Sequence, residues 1–286
     1  MNLLSKIQTR VHSEIGARNY DYFKNYLLKN DRRYQKRDPK KFKTFYDING
    51  NEVDVEKILK DLLENGFAVV ENLYTETWVD NAYKQVMAHA EAFKKGKVKK
   101  SSLWSKDFGY EENLLSTGIV RFYNVDNKIP QAKDFARNEL LKYIGELYYQ
   151  KKLTLQTVIS QYNEVSKVPC RGYHIDSHVD QFKTFIYLCD VDKTNGPHTY
   201  LKGSHKNTEK VMKKLHESLA AQISGEYKTK DSTGLSDKDA KKLGFKEELI
   251  TGKKGTVLLV DTRGIHQGGT LKKGHRVVFN TYYYLD

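Results

Sequence analysis

Three short patches of this sequence carry residues that could do chemistry together. The first is Tyr173-His174-Ile175-Asp176. Residues i and i+2 of a β-strand face the same side. His174 and Asp176 can therefore offer an imidazole nitrogen and a carboxylate oxygen to one ion. The second patch is His266, in DTRGIHQGG, just past the apolar run at 256–260. The third is Arg276, ten residues further on in HRVVFNTYYYL. Two histidines and one carboxylate make a facial triad, which leaves three positions open on an octahedral Fe(II) ion. Two of them can take a bidentate 2-oxo acid and one can take O2. An arginine suits the far carboxylate of such an acid, because its fork makes two parallel charge-assisted hydrogen bonds. His174, Asp176 and His266 are thus candidate metal ligands, and Arg276 is a candidate anchor for a co-substrate.

No single patch carries this reading. In a chain of this composition a His-x-Asp triplet arises by chance about half the time. A lone histidine is more often a hydrogen-bonded surface or core residue than a ligand, and strand arginines usually pair with a carboxylate. Order, spacing and β context together give the patches weight.

The elements that must position them can be read from the pattern. Residues 1–30 have helical spacing of apolar residues, and 32–43 form a basic arm with seven bases against one acid. Helices are predicted over 54–65, 75–95 and 131–150, with Pro130 at the start of the last, and strands over 67–70 and 117–125. From 153 onward the runs LTLQTVISQYNEV, FKTFIYLCDV, GTVLLVD and HRVVFNTYYYL are β-branched and aromatic with period-two alternation. Residues 206–246 interrupt them with helical pieces around 207–222 and 236–244, and read as an insertion or lid. The expected architecture is helices followed by an antiparallel β barrel or sandwich.

The 286 residues carry a formal net charge of +13, 38% hydrophobic residues and two cysteines. Two cysteines exclude a disulfide framework and a Cys-rich zinc module. No apolar run reaches the ~18–20 residues that a membrane span needs, and the first residues lack the pattern of a signal peptide. The expectation is a soluble, cytoplasmic protein in a reducing compartment. The positive charge points to anionic partners without choosing among them.

HIDSHVDQFKTFIYLCDVDKTNGPHTYLKGSHK, KKGTVLLVDTRGIHQGG and GHRVVFNTYY together resemble the phytanoyl-CoA dioxygenase (PhyH) family of Fe(II)/2-oxoglutarate-dependent oxygenases. The Asn-Gly-Pro segment leading to Gly203-Ser204-His205-Lys206 carries that resemblance, as does an arginine ten residues after the last histidine. ILKDLLENGFAVVENLY resembles the family's entry segment, and the likeness spans roughly residues 55–285. It implies an α+β chain with a mainly β core: a double-stranded β-helix (jelly-roll, cupin-like) barrel at 51–286, helices packed on one side, and a separate extension at 1–50. It implies His174, Asp176 and His266 as iron ligands and Arg276 as partner of the 2-oxoglutarate C5 carboxylate. Gln161, Asn163 and Arg121 are further co-substrate candidates. Members often carry a hydroxyl residue two positions after the last ligand. Here that position is Gly268, so the task falls to Arg276 or to a neighbour such as Thr281 or Tyr282. Halogenating relatives replace the carboxylate ligand with a small residue, so an intact Asp176 favours hydroxylation. The substrate class expected is a small molecule, by its charge preference an anionic one.

Two other classes compete. One is a nucleic-acid-associated protein using the basic arm, but no recognised nucleic-acid motif accompanies the arm. The other is a barrel that binds a metal or ligand without turnover, against which the full triad and arginine argue.

Overall fold

A computed structural model describes residues 42–102, 105–111, 118–165, 172–176, 181–206, 208–223 and 234–285. The helical pattern at 1–30, most of the basic arm, Cys170 and His178 fall outside the described residues.

The N-terminal half supplies helices. Helix α1 (Val55–Asn65) starts where the Asp54 side chain accepts from Lys57 N at 2.8 Å, and it ends at Gly66, whose φ of +90° a side chain would resist. Strand β1 (Phe67–Val70) follows, then α2 (Glu76–Lys94), β2 (Gly109–Tyr110) and β3 (Ile119–Tyr123). The single helix expected over 131–150 is two, α3 (Pro130–Ala136) and α4 (Glu139–Tyr149). Asn138 separates them, because its side chain accepts from Leu141 N and caps a new helix.

The β half is nearly continuous: β4 (Leu153–Glu164), β5 (Gln181–Tyr187), β6 (His198–Leu201), β7 (Glu247–Ile250), β8 (Val257–Asp261), β9 (His266–Gly268) and β10 (His275–Leu285). Two further helices, α5 (Thr208–Ile223) and α6 (Asp237–Lys242), lie between β6 and β7, where the insertion was expected. Strands β6 and β7 were not read from the sequence. Both are four residues long, and β7 is mostly exposed, so neither shows a sustained alternation.

The strands form an antiparallel seven-stranded sheet in the order β1-β8-β5-β10-β4-β3-β2 and a three-stranded sheet in the order β7-β6-β9. Alternation splits the large sheet into two faces. Val277, Phe279, Tyr283, Phe182 and Ile186 point outward, and there they form one apolar core with Leu62, Val86, Leu141 and Ile144 of the helices. Val278, Tyr187, Leu258 and Val260 point inward and pack on Tyr200 and Ile250 of the small sheet. This is the two-sheet arrangement of a jelly roll. No helix among the described residues is long and apolar enough to cross a membrane.

Register places the chemistry. Arg276 pairs with Asn163, and Asn163 with Ile119; Gln161 pairs with Val278 and Arg121; Tyr282 pairs with Lys183. Directly paired residues share a face. Arg276, Asn280, Tyr282, Asn163, Gln161, Arg121 and Lys183 therefore all lie on the inner face.

Candidate metal centre

The two ligand-bearing segments hold each other. His174 N donates to His266 O and His266 N to His174 O, both at 2.9 Å. Asp176 N donates to Thr262 O. The small sheet is thus extended by one short segment, which brings residues 92 positions apart in the chain side by side. Alternation then divides neighbours. His174, Asp176 and His266 face inward, while Tyr173, Ile175 and Ile265 face out. Those three build a separate apolar core with Val211, Met212, Leu215, Leu235 and Leu243 of the insertion. The described part of 206–246 therefore backs the ligand segments, and Leu235 N donates to Tyr173 O at 2.7 Å.

One imidazole nitrogen, one carboxylate oxygen and a second imidazole nitrogen come together within 4.8 Å. His174 Nε2 lies 3.6 Å from Asp176 Oδ1, and His266 Nε2 lies 3.5 Å from Asp176 Oδ2. Adjacent ligands of an octahedral ion bound at ~2.1 Å stand about 3 Å apart, so small movements close the set on an ion. The ring tautomers suit ligation. His174 Nδ1 is 2.7 Å from the Gly172 carbonyl and His266 Nδ1 is 2.9 Å from the Gly264 carbonyl. A carbonyl only accepts, so each Nδ1 holds the proton and each Nε2 presents its lone pair.

The turn before His266 is fixed from several sides. The buried Asp261 carboxylate accepts from Tyr148 Oη at 2.8 Å and from Arg263 N at 3.1 Å. Tyr200 Oη donates to the Asp261 carbonyl at 2.7 Å, and its ring lies parallel to that of His266. Tyr200 fits only because residues 66 and 264 are glycines: a Cβ on either would run into the Tyr200 side chain. Ser204 Oγ accepts from Ile265 N, so the Gly-Ser-His turn braces the same segment.

Electrostatics favour an ionised carboxylate. Burial works to raise the Asp176 pKa, but Lys183 and the two imidazoles outweigh it and hold the carboxyl well below its usual range. Lys183 Nζ is 2.6 Å from Asp176 Oδ2.

Arg276 is 5% exposed. Its guanidinium donates to the Gly196 carbonyl, while its Nε has no partner, and no carboxylate among the described residues forms an ion pair with it. A buried cation without a counter-ion is costly unless an anion arrives. His198, two residues past Gly196, shares its surroundings. Burial, then the nearby His266, Arg276 and Lys183, hold its imidazole neutral, well below the usual pKa. Its Nε2 is buried without a partner, and its ring lies 5.2 Å from that of His266 and 5.0 Å from that of Phe185.

The other expected residues sit differently. Gln161 Nε2 donates to Asn163 Oδ1 at 2.9 Å, and Gln161 Oε1 accepts from Arg121. Arg121 also pairs with Glu111 at 3.1 Å, and Tyr123 Oη donates to the same carboxylate. Asn163 lies opposite Arg276, but Arg121 is already neutralised. Neither neighbour named for the missing hydroxyl stands beside Arg276. Thr281 faces outward and bonds Thr184 Oγ1 at 2.6 Å. Tyr282 is inward, six residues along the strand, under Lys183. Neither Lys183 nor His198 was among the residues expected at the site from the sequence. The signal for Lys183 was a charge at an inward position of an aromatic strand.

A family model described as Phytanoyl-CoA dioxygenase (PhyH) matches residues 62–276. Solved structures share the fold at low identity. AviO1 from Streptomyces viridochromogenes Tue57 superposes with a TM-score of 0.55 at 14% identity, over 82% of this chain and 95% of that one. The non-heme alpha ketoglutarate dependent carbocyclase SnoK from nogalamycin biosynthesis gives 0.56 at 14%, over 80% and 83%. EctD from S. alaskensis, solved with 2-oxoglutarate and 5-hydroxyectoine, gives 0.55 at 16%, over 82% and 76%. Among curated proteins nothing matches.

Proposed function

Because the chain belongs to the phytanoyl-CoA dioxygenase (PhyH) family, we propose that it is an Fe(II)- and 2-oxoglutarate-dependent dioxygenase. It hydroxylates a C–H bond of a small anionic metabolite and releases succinate and CO2. The observation that carries this reading is the convergence of His174, Asp176 and His266 within 4.8 Å, facing the interior toward which the large sheet turns Arg276, buried and without a carboxylate partner among the described residues. Residues 51–286 are the oxygenase domain, with 206–246 inserted in it and 1–50 as an extension. Fold relatives solved with bound Fe or with 2-oxoglutarate support the same pair of groups here.

His174, Asp176 and His266 would hold the ion through Nε2, one carboxylate oxygen and Nε2. The donor set fits Fe(II): imidazole and carboxylate, with one face left open. Bound iron and 2-oxoglutarate supply the oxidising power that O2 delivers to an unactivated C–H bond. The chain's own work is placement. Arg276 takes the C5 carboxylate, and His198 adds a neutral hydrogen-bonding group beside it. Asn163, across the ladder from Arg276, lines the same end with Gln161. Arg121, bound to Glu111, is a fixed wall of the inner face. The net positive charge draws anionic molecules. An intact carboxylate ligand supports hydroxylation over halogenation.

The test is anaerobic binding of Fe(II) and 2-oxoglutarate, followed by succinate formation in air over a panel of small carboxylic acids and their amides. Wild type should bind both, and acids should stimulate succinate release more than amides. Absence of metal binding, or unchanged binding in His174→Ala, overturns the reading.

A further inference from the structure

Lys183 is a buried charge that this function leaves unused. It is 4% exposed, on a strand whose next inward residues are Phe185 and Tyr187. Its Nζ stands 2.6 Å from Asp176 Oδ2 and 3.7 Å from the centre of the Tyr282 ring, its cross-strand partner. The ammonium is therefore held between a carboxylate and an aromatic face. Among the described residues Asp176 is the carboxylate it pairs with. The two oxygens of Asp176 differ in surroundings. Oδ1 faces His174 Nε2, whereas Oδ2 faces both His266 Nε2 and Lys183. A carboxylate with two unengaged oxygens can bind a cation through both and so use up a position.

We propose that Lys183 is a positioning residue for the metal centre: it holds Asp176 Oδ2, so the carboxylate meets the ion through Oδ1 alone and one more position stays open. This rests on the proposed function, because it requires an ion at the triad. Two effects oppose each other. An ammonium near a divalent cation repels it, and the fixed carboxylate favours binding. The contact is an ion pair and not an aligned hydrogen bond. Losing an outer partner of a metal ligand typically costs 10–100-fold in affinity, and orientation is the effect we take to win. In the metal-free protein the same lysine is the counter-ion of Asp176, which keeps the pair balanced until an ion arrives.

The experiment titrates Mn(II) alone into the full chain as wild type, Lys183→Met and Lys183→Arg. Co(II) absorption reports the coordination, and melting of the metal-free proteins checks the fold. The expected result is at least a tenfold weaker Mn(II) affinity in Lys183→Met with an altered Co(II) spectrum. Lys183→Arg, which keeps a charged donor, should stay close to wild type. Equal or tighter binding by Lys183→Met overturns the proposal, and so does an equal loss in Lys183→Arg, which would mean packing alone. If Lys183→Met fails to fold, Lys183→Gln is read by the same criteria. A wild type that binds no Mn(II) sinks the proposed function and this inference together. A wild type that binds while its Lys183 variants bind equally well sinks this inference alone.

Discussion

His198 stands directly opposite Gly268 in the β6–β9 ladder. The position that offers no side chain thus faces a buried imidazole with a free Nε2. A glycine there leaves room on the shared face, and the histidine fills it with a polar atom close to Arg276. Under the proposed function this imidazole would take the place of the hydroxyl that the sequence lacks at position 268, from a strand that no short-range pattern revealed.

His198→Leu should keep the ring's bulk and remove its polar atoms. We expect 2-oxoglutarate affinity to fall about tenfold, consistent with the loss of one or two hydrogen bonds to a charged group, while Mn(II) affinity stays unchanged. Isothermal titration of the Mn(II)-loaded protein measures both. Unchanged 2-oxoglutarate binding would show that His198 takes no part in holding the co-substrate.

Arg276→Met should separate affinity from stability. It removes the partner of the distal carboxylate, so 2-oxoglutarate binding should drop at least a hundredfold with Mn(II) binding retained. The metal-free protein should be no less stable than wild type, because a buried, un-neutralised cation is replaced by an apolar chain of similar length. Denaturant melts of the metal-free variant check this. A large loss of stability would mean the guanidinium is structurally satisfied as it stands.

Gly264→Ala should act on the metal through Tyr200. The added Cβ collides with the Tyr200 side chain, which bonds Asp261 and lies parallel to His266. We expect a destabilisation of about 1–3 kcal/mol, the usual range for overpacking, together with weaker Mn(II) binding. Tyr200→Phe removes the hydroxyl without the collision and should cost less on both counts. Gly264→Ala binding Mn(II) as tightly as wild type would show that the turn tolerates displacement.

How much of this was legible in the sequence follows from the range of the interactions. The convergence of His174, Asp176 and His266 and the inward place of Arg276 were legible because parity on a strand is local and the family resemblance supplied their order. Strands β4, β5 and β10 were readable because their β-branched and aromatic runs are 12, 7 and 11 residues long, and β8 because four apolar residues follow one another. The break at Asn138 was not, since the apolar spacing runs through it and only the cap marks the boundary. The partners of Arg121, the outward turn of Thr281 and the Lys183–Asp176 pair depend on register between distant strands, which no window of sequence contains.

Tyr173, Ile175 and Ile265 alternate with the ligands and bury their side chains in the core of the insertion. The ion and the insertion therefore press on the same two stretches of backbone from opposite sides. Holding the inner side chains in place limits how far the outer ones can move, and the reverse holds as well. By reciprocity of linked equilibria, any change in the packing of this core that shifts the affinity of the centre for its ion is matched by a shift of that packing, by the same free energy, when the ion is loaded.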